Sequence, residues 1–332
     1  MELFYYRDPD GNFGDDLNAW LWERLLPGLS EEPGDVGLLG IGTIIGMEIP
    51  PVMRVKVFTS GAGYSRIPRD FGSPRWEIVG VRGPLTAQVL NLPARTILTD
   101  GALLLRLLPE YQPLPEAERS GVVFMPHHRA LCSGNWEEVC NRAGIEFVSP
   151  RDDSRHTLRR LARAKLVLAD AMHAAICADA LRVPWVPLAI SLETPTFKWL
   201  DWTLSHRLPY EPLRVPPCAP MEAWRRLVAA FRGEHRLLTD QGASRARQHL
   251  RHQQDIVKDN FIRRLDGALT KNIVRYLGWE QSERHMDAAA QALRRAATLP
   301  GYLSTEAIQQ RLLAELTERL GKIAPHSASV RA

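Results

Sequence analysis

The chain has little of what marks most specialised protein classes. Its four cysteines, Cys132, Cys140, Cys177 and Cys218, form no CxxC pair. That excludes a zinc ribbon and a redox dithiol, and the spacing reads as reduced thiols rather than a disulfide frame. No run of about 18 uncharged apolar residues exists, so the sequence predicts no membrane span. The longest candidates are interrupted by Asp170, His173 and Asp179, or stop within residues 36–47. The opening Met1-Glu2-Leu3-Phe4-Tyr5-Tyr6-Arg7-Asp8 has an early acid and no long apolar core, unlike a secretory signal. Charge of one sign is also scarce: the net charge is +4, which gives nucleic-acid binding no compositional support. GxSxG, HExxH and the Walker A string are absent, which removes three familiar site signatures. Asp8-Pro9-Asp10 is formally DxD, and residues 8–12 resemble the start of a calcium loop. Phe13 stands where that loop needs glycine and Ala19 where it needs glutamate, so the string reads as a turn.

What is present is an ordinary folding chain, 45% hydrophobic and 24% charged. Its 332 residues suggest about two domains at roughly 150 residues each. Short apolar runs at 3–6, 36–41, 55–59, 76–81 and 96–99 predict strands, separated by turn residues, with a helix from Asp15 or Asp16 to Leu26 and another opening at Pro84. Residues 108–119 hold three prolines and several acids and read as an interdomain linker. Strands at 121–125, 146–148, 166–169 and 185–190 then alternate with helices at 135–143, 154–164 and 172–181. Such alternation predicts an α/β fold: two Rossmann-like domains whose parallel sheets face a cleft. The expected boundaries are 1–112, 113–235 and a helical extension over 236–332, with helices at 221–232, 244–265, 272–277, 282–297 and 304–320. Positions 231–332 carry 17 Lys+Arg against 11 Asp+Glu. A solvated basic face is the simpler reading of this tail, and peripheral contact with an anionic membrane surface the sharper one.

Ligands of open parallel sheets sit beyond the carboxyl ends of the strands, and the chemistry-bearing residues fall there. Gly40-Ile41-Gly42-Thr43 and Ser60-Gly61-Ala62-Gly63 follow strands. Glycine lets backbone approach a ligand, so Gly42, Thr43, Gly61 and Gly63 are candidate binding residues, although each turn alone reads equally as a tight strand exit. Arg82 follows a strand and precedes Pro84, placed for two-pronged recognition of carboxylate or phosphate, or for a surface ion pair. His127-His128-Arg129 follows the strand ending at Met125. Adjacent histidines seldom share a metal without further ligands, so an anion site is the more natural reading. Asp170 and His173 stand three apart at a strand end and helix start. A carboxylate orienting an imidazole makes a general acid or base, while Asp170 also reads as a helix cap. Lys198 follows the last strand and is expected in the same cleft.

These strings occur in an order that resembles a known family. Gly11-Asn12-Phe13-Gly14-Asp15-Asp16-Leu17-Asn18, the two glycine turns, Val81-Arg82-Gly83-Pro84 with Thr86, Thr99-Asp100, Met125-Pro126-His127-His128-Arg129, Asp170-Ala171-Met172-His173-Ala174 and Val183-Pro184 follow one another. The series, spanning about residues 1–205, is similar to the polysaccharide pyruvyltransferase family, and most to its succinoglycan-type exopolysaccharide branch. The resemblance implies a GT-B-like fold with the site between two Rossmann-like domains. It implies transfer of pyruvate from phosphoenolpyruvate to a sugar, usually as a ketal, with no resident metal or cofactor. Arg82 matches the family arginine after the first-domain strand, His173 the family histidine at the helix start, and Lys198 the basic residue after the next strand. Many members carry Arg-Leu-His where this chain has Ala171-Met172-His173. One donor-binding arginine is therefore absent, with Arg129 and Lys198 as candidates to replace its charge.

Phosphoenolpyruvate carries a phosphate and a carboxylate, so Arg82, His128, Arg129 and Lys198 are expected to hold it. His173 and Asp170 are the expected catalytic pair, one proton going to the methylene carbon and one leaving the sugar hydroxyl. Asp15 and Asp16 face the cleft as acceptor-hydroxyl ligands or helix caps. The acceptor is expected to be an exopolysaccharide sugar or a lipid-linked oligosaccharide, met in the cytoplasm at the inner face of the membrane. Two other readings remain. A glycosyltransferase of the same architecture would use a nucleotide sugar, with Glu193 as its ribose carboxylate. A catalytically lapsed scaffold in polysaccharide assembly would explain the missing arginine and the helical tail.

Overall fold

The computed structural model describes residues 1–31, 35–51, 53–63, 66–132, 134–190, 196–231 and 279–323. The helices expected at 244–265 and 272–277, and Glu193, lie outside them. The fold is mixed α/β with two parallel sheets. Four strands, β1 (Glu2–Phe4), β2 (Val36–Leu39), β3 (Arg54–Ser60) and β4 (Trp76–Val81), pair in simple sequence order. Five more, β5 (Val122–Met125), β6 (Glu146–Phe147), β7 (Leu166–Ala169), β8 (Trp185–Ala189) and β9 (Leu213–Arg214), lie in the order β6-β5-β7-β8-β9. In this second sheet β6 sits on one side of β5 and β7 on the other, so the winding reverses between β5 and β7. That switch point is where such sheets bind ligands. The strands are short and apolar; β2 and β7 are buried at every position, as strands covered on both faces must be.

Ten helices are described: α1 (Phe13–Asp16), α2 (Leu21–Leu25), α3 (Pro84–Val89), α4 (Trp136–Ala143), α5 (Ser154–Arg163), α6 (Met172–Ala180), α7 (Thr196–Ser205), α8 (Pro220–Phe231), α9 (Trp279–Ala296) and α10 (Glu306–Leu320). Local chemistry accounts for several limits. The Asn135 side chain caps α4 by accepting from Glu138 N, and the helix ends at left-handed Gly144. Asp153 caps α5 by accepting from His156 N at 2.8 Å. Every residue of α6 except His173 is buried.

Two expectations are corrected. The single helix from Asp15 or Asp16 to Leu26 is instead α1, a 3₁₀ turn at Leu17–Ala19, and α2. The Asp16 carboxylate reaches back to Asn12 N at 3.1 Å, so both acids lie within α1 and neither caps a helix running to Leu26. The strand expected at 96–99 is a 3₁₀ turn at Ala94–Thr96 followed by one bridge from Ile97 to Val81. The chain leaves the sheet there because Asp100 opens a 3₁₀ run over Gly101–Leu107 by accepting from Ala102 N. The proline-rich stretch 108–119 is tied down: Leu108 and Tyr111 are buried, and Arg119 donates to the carbonyls of Leu114 and Leu181.

The two sheets share a core. Alternate residues of β2, β3 and β4 (Leu38, Phe58, Val79) join Val123 and Met125 of β5 and Val167 and Ala169 of β7 in one apolar cluster, completed by Leu312, Leu316 and Leu320 of α10. The opposite faces pack separately, Leu39, Val55 and Val57 on one side and Phe124, Leu168 and Leu188 on the other. Helix α10 also grips the first sheet directly, with Arg319 donating to Val79 O at 2.8 Å. Among the described residues no helix is long and apolar enough to cross a membrane.

Candidate active site

The carboxyl ends of the two sheets meet. The loop after β1 crosses to the second sheet, where Phe13 N donates to Pro150 O at 2.9 Å and Asp8 lies 3.5 Å from His128 Nε2. Gly14 packs so closely on His173 that a β-carbon there would stand 2.1 Å from Nδ1. His173, at the start of α6 after β7, thus sits at the switch point and against the first sheet's loop.

The carboxylate beside the imidazole is Asp100, where the spacing pointed to Asp170. His173 Nε2 lies 3.7 Å from Asp100 Oδ2. Both atoms are buried and neither has a hydrogen-bond partner among the described residues. Burial pushes the Asp100 carboxyl up, but His173, the Arg82 charge and the Ala102 N–H outweigh it and hold it below the usual carboxylate value. Asp170 instead stitches strand ends together: its carboxylate accepts from His127 N at 2.9 Å and from Ile190 N at 3.1 Å. That joins the exits of β5, β7 and β8.

Asp15 completes the group. Its Oδ2 accepts from Asn12 Nδ2, and its carboxyl lies in the fields of His173, Lys198, Asp16 and Asp100. Burial pushes that carboxyl up to about 6 against the pull of His173 and Lys198. Lys198, in α7, is buried, and its charge also acts on His127 and His128. Burial holds the His127 imidazole far below its usual value and His128 at about 4, with Arg129 and Lys198 adding to both. Both rings are therefore neutral at pH 7, their centroids 4.3 Å apart. Arg129 is exposed beside them.

Arg82 lies deeper than its sequence position suggested. It is fully buried, with Nε 3.3 Å from Asp201 Oδ2 and Nη1 donating to Thr43 Oγ1 at 2.7 Å. Gly61 covers it: a β-carbon at that position would meet Nη2 at 2.2 Å. Thr86 adds its N–H and hydroxyl to the Asp201 carboxylate. The two glycine turns clasp each other, Gly61 N donating to Gly42 O at 2.9 Å and Ile45 N to Gly61 O at 3.2 Å. Gly63 faces the Thr43 methyl.

Three site residues escaped the sequence. Asp100 was visible only within the Thr99-Asp100 string of the ordered motifs, with no role assigned to it. Asp201 meets Arg82 across 119 residues of chain, which no spacing signals. Thr59, fully buried, has a φ of 71° at a register shift between β3 and β4. A β-branched residue rarely adopts that region, and bulges of this kind gather beside sites and re-aim the chain. Its hydroxyl packs against Gly101, one residue from Asp100, and has no partner among the described residues.

A family model described as polysaccharide pyruvyl transferase matches residues 73–191, the stretch holding Arg82, Asp100, His127, His128, Arg129, Asp170 and His173. The chain is 37% identical over 225 residues to the succinoglycan biosynthesis protein ExoV of Rhizobium meliloti (strain 1021), an alignment covering 67% of this chain and 70% of that protein. No solved structure matches the chain. Ordered motifs, family match and the identity to ExoV lead to one conclusion: the chain belongs to the polysaccharide pyruvyl transferase family.

Proposed function

We propose that this transferase moves pyruvate from phosphoenolpyruvate to a sugar of an exopolysaccharide or its lipid-linked precursor, as a ketal, with release of phosphate. Each sheet would supply one half of a GT-B-like arrangement. The observation that carries the reading is the His173–Asp100 pair, whose facing atoms are buried and stand open at 3.7 Å, at the reversal point of the second sheet. Catalytic contacts are often long before substrate binds.

The chemistry needs a proton at the methylene carbon while positive charge builds on C2. His173, kept beside an ionised Asp100, is the group suited to give that proton. Lys198 and Arg129 are the cations for the donor's phosphate and carboxylate. Arg82 lies beneath Gly61 and acts through its charge on Asp100 and its hydrogen bond to Thr43. Fixed charges of this kind are set before the reaction and need no reorganisation during it. The reading puts the reaction in the cytoplasm, at the inner face of the membrane if the acceptor is lipid-linked.

A thermal-shift titration with phosphoenolpyruvate, beside a panel of nucleotide sugars, tests it. A ligand at 100 times its Kd stabilises by about 2.7 kcal/mol. Stabilisation by phosphoenolpyruvate alone, followed by acceptor-dependent phosphate release, is expected. Stabilisation by a nucleotide sugar alone would overturn the donor assignment.

A further inference from the structure

Asp15 stands between the two halves of the site. Its helix grows from the β1 exit, and Gly14 beside it touches the His173 ring. Asn12 Nδ2 holds one carboxylate oxygen at 2.5 Å. The other lies over Gly42, whose φ is 120° and where a β-carbon would come within 2.9 Å of it. Asn12 thus sets the plane of the carboxylate, and Gly42 leaves it room. A capping acid accepts a backbone N–H; Asp16 does so from Asn12, whereas the Asp15 carboxylate accepts none among the described residues. The residue keeps an exposed edge. The charged groups acting on it are His173 on α6, Lys198 on α7, Asp16 on its own helix, and Asp100.

We infer that Asp15 is the general base of the transfer, taking the proton of the attacking sugar hydroxyl while His173 protonates the methylene carbon. The inference rests on the phosphoenolpyruvate reading above. The π electrons of the C2–C3 bond take the proton from His173, and a lone pair of the hydroxyl oxygen forms the new bond to C2. The hydroxyl proton passes to Asp15. The C2–O bond to phosphate then breaks, the second hydroxyl oxygen bonds to C2, and its proton leaves with phosphate. Solvent resets both side chains. A carboxyl raised to about 6 is ionised at pH 7 yet keeps useful proton affinity. Asp100, held low, stays charged beside His173. Carboxylates pushed apart in this way serve separate roles.

Asp15→Asn tests this in two measurements on the full chain. The folded-state pKa lies above the unfolded one, so the ionised wild-type protein loses stability as pH rises from about 4 through about 6. The variant is therefore expected to melt higher than wild type at pH 7.5 and level with it near pH 4. A lower melting temperature at pH 7.5 would show a structural carboxylate and overturn the assignment. The second measurement is phosphate release with phosphoenolpyruvate and oligosaccharides from pyruvate-stripped succinoglycan. Turnover is expected to fall about 10²–10⁴-fold, with the phosphoenolpyruvate thermal shift retained and the acidic limb of the pH profile lost. Retained turnover with that limb intact overturns the base assignment alone. No thermal shift from phosphoenolpyruvate in the wild-type protein overturns the donor reading, and the base assignment with it.

Discussion

His173 and Asp100 form a pair whose members come from different sheets, and their substitution separates chemistry from folding. His173→Ala is expected to lower turnover about 10²–10⁴-fold with the phosphoenolpyruvate thermal shift preserved, and steady-state phosphate release checks it. Near-normal turnover would remove the imidazole from the mechanism. His128 makes a prediction of another kind. Its folded pKa, about 4, lies below the usual 6.5 because burial disfavours the charged ring. Protonation therefore favours the unfolded chain. The contribution of neutral His128 is complete above about pH 6.5 and is lost as pH falls through about 4. A melting curve measured from pH 7 to 4 is expected to flatten in His128→Gln. At this scale the sequence pointed to His173, Lys198 and the paired histidines through their places at strand ends. It was silent on Asp201 and misassigned the partner of His173. Three residues of spacing suggested Asp170, whereas the chain path put Asp100 there from more than 70 positions away.

At the scale of elements, strand exits are held by side chains that replace missing ladder partners. Asp170 is the clearest case, since its two oxygens serve the N–H groups of His127 and Ile190 after β5 and β8. Asp170→Ala leaves two buried donors unpaired at about 1–3 kcal/mol each. Urea unfolding is expected to show a loss of at least that size, and an unchanged midpoint would refute the stitching role. Element type was legible at most of the short, bounded apolar runs: 76–81 and 166–169 agree residue for residue with β4 and β7. It failed at 96–99, where an apolar run bounded by turn residues looked the same but the chain found one bridge partner and turned away at Asp100. It also missed β9, whose two residues carry too little pattern to read.

Among the described residues the two sheets are joined by a shared layer. Both sheets turn a face into it, and α10 closes it with Leu312, Leu316 and Leu320, joined by Ile323 just beyond the helix. Arg106 and Asp179 reach the same helix through Gln309, at 2.7 Å for Arg106 Nη1 to Gln309 Oε1 and 2.7 Å for Gln309 Nε2 to Asp179 O. Calorimetry is therefore expected to show one unfolding transition rather than one per sheet. Leu316→Ala, at a fully buried position, is expected to lower that single transition at a cost of about 2–5 kcal/mol. Two separate transitions, only one of them moved by the substitution, would disprove the coupling.

The sequence by itself determined the alternation of strands and helices, and with it parallel sheets whose carboxyl ends hold the candidate site residues. These are local properties: apolar period, turn residues and capping side chains act over a few positions and can be read in order. Tertiary structure alone decided which groups meet. The His173–Asp100 pair, the burial of Arg82 against Asp201 and the enclosure of Asp15 between Asn12, Gly42 and His173 each join segments that the sequence keeps apart. The protonation of Asp15, Asp100 and Asp201 follows from burial and neighbouring charge, which exist only once the two sheets have packed on a common core.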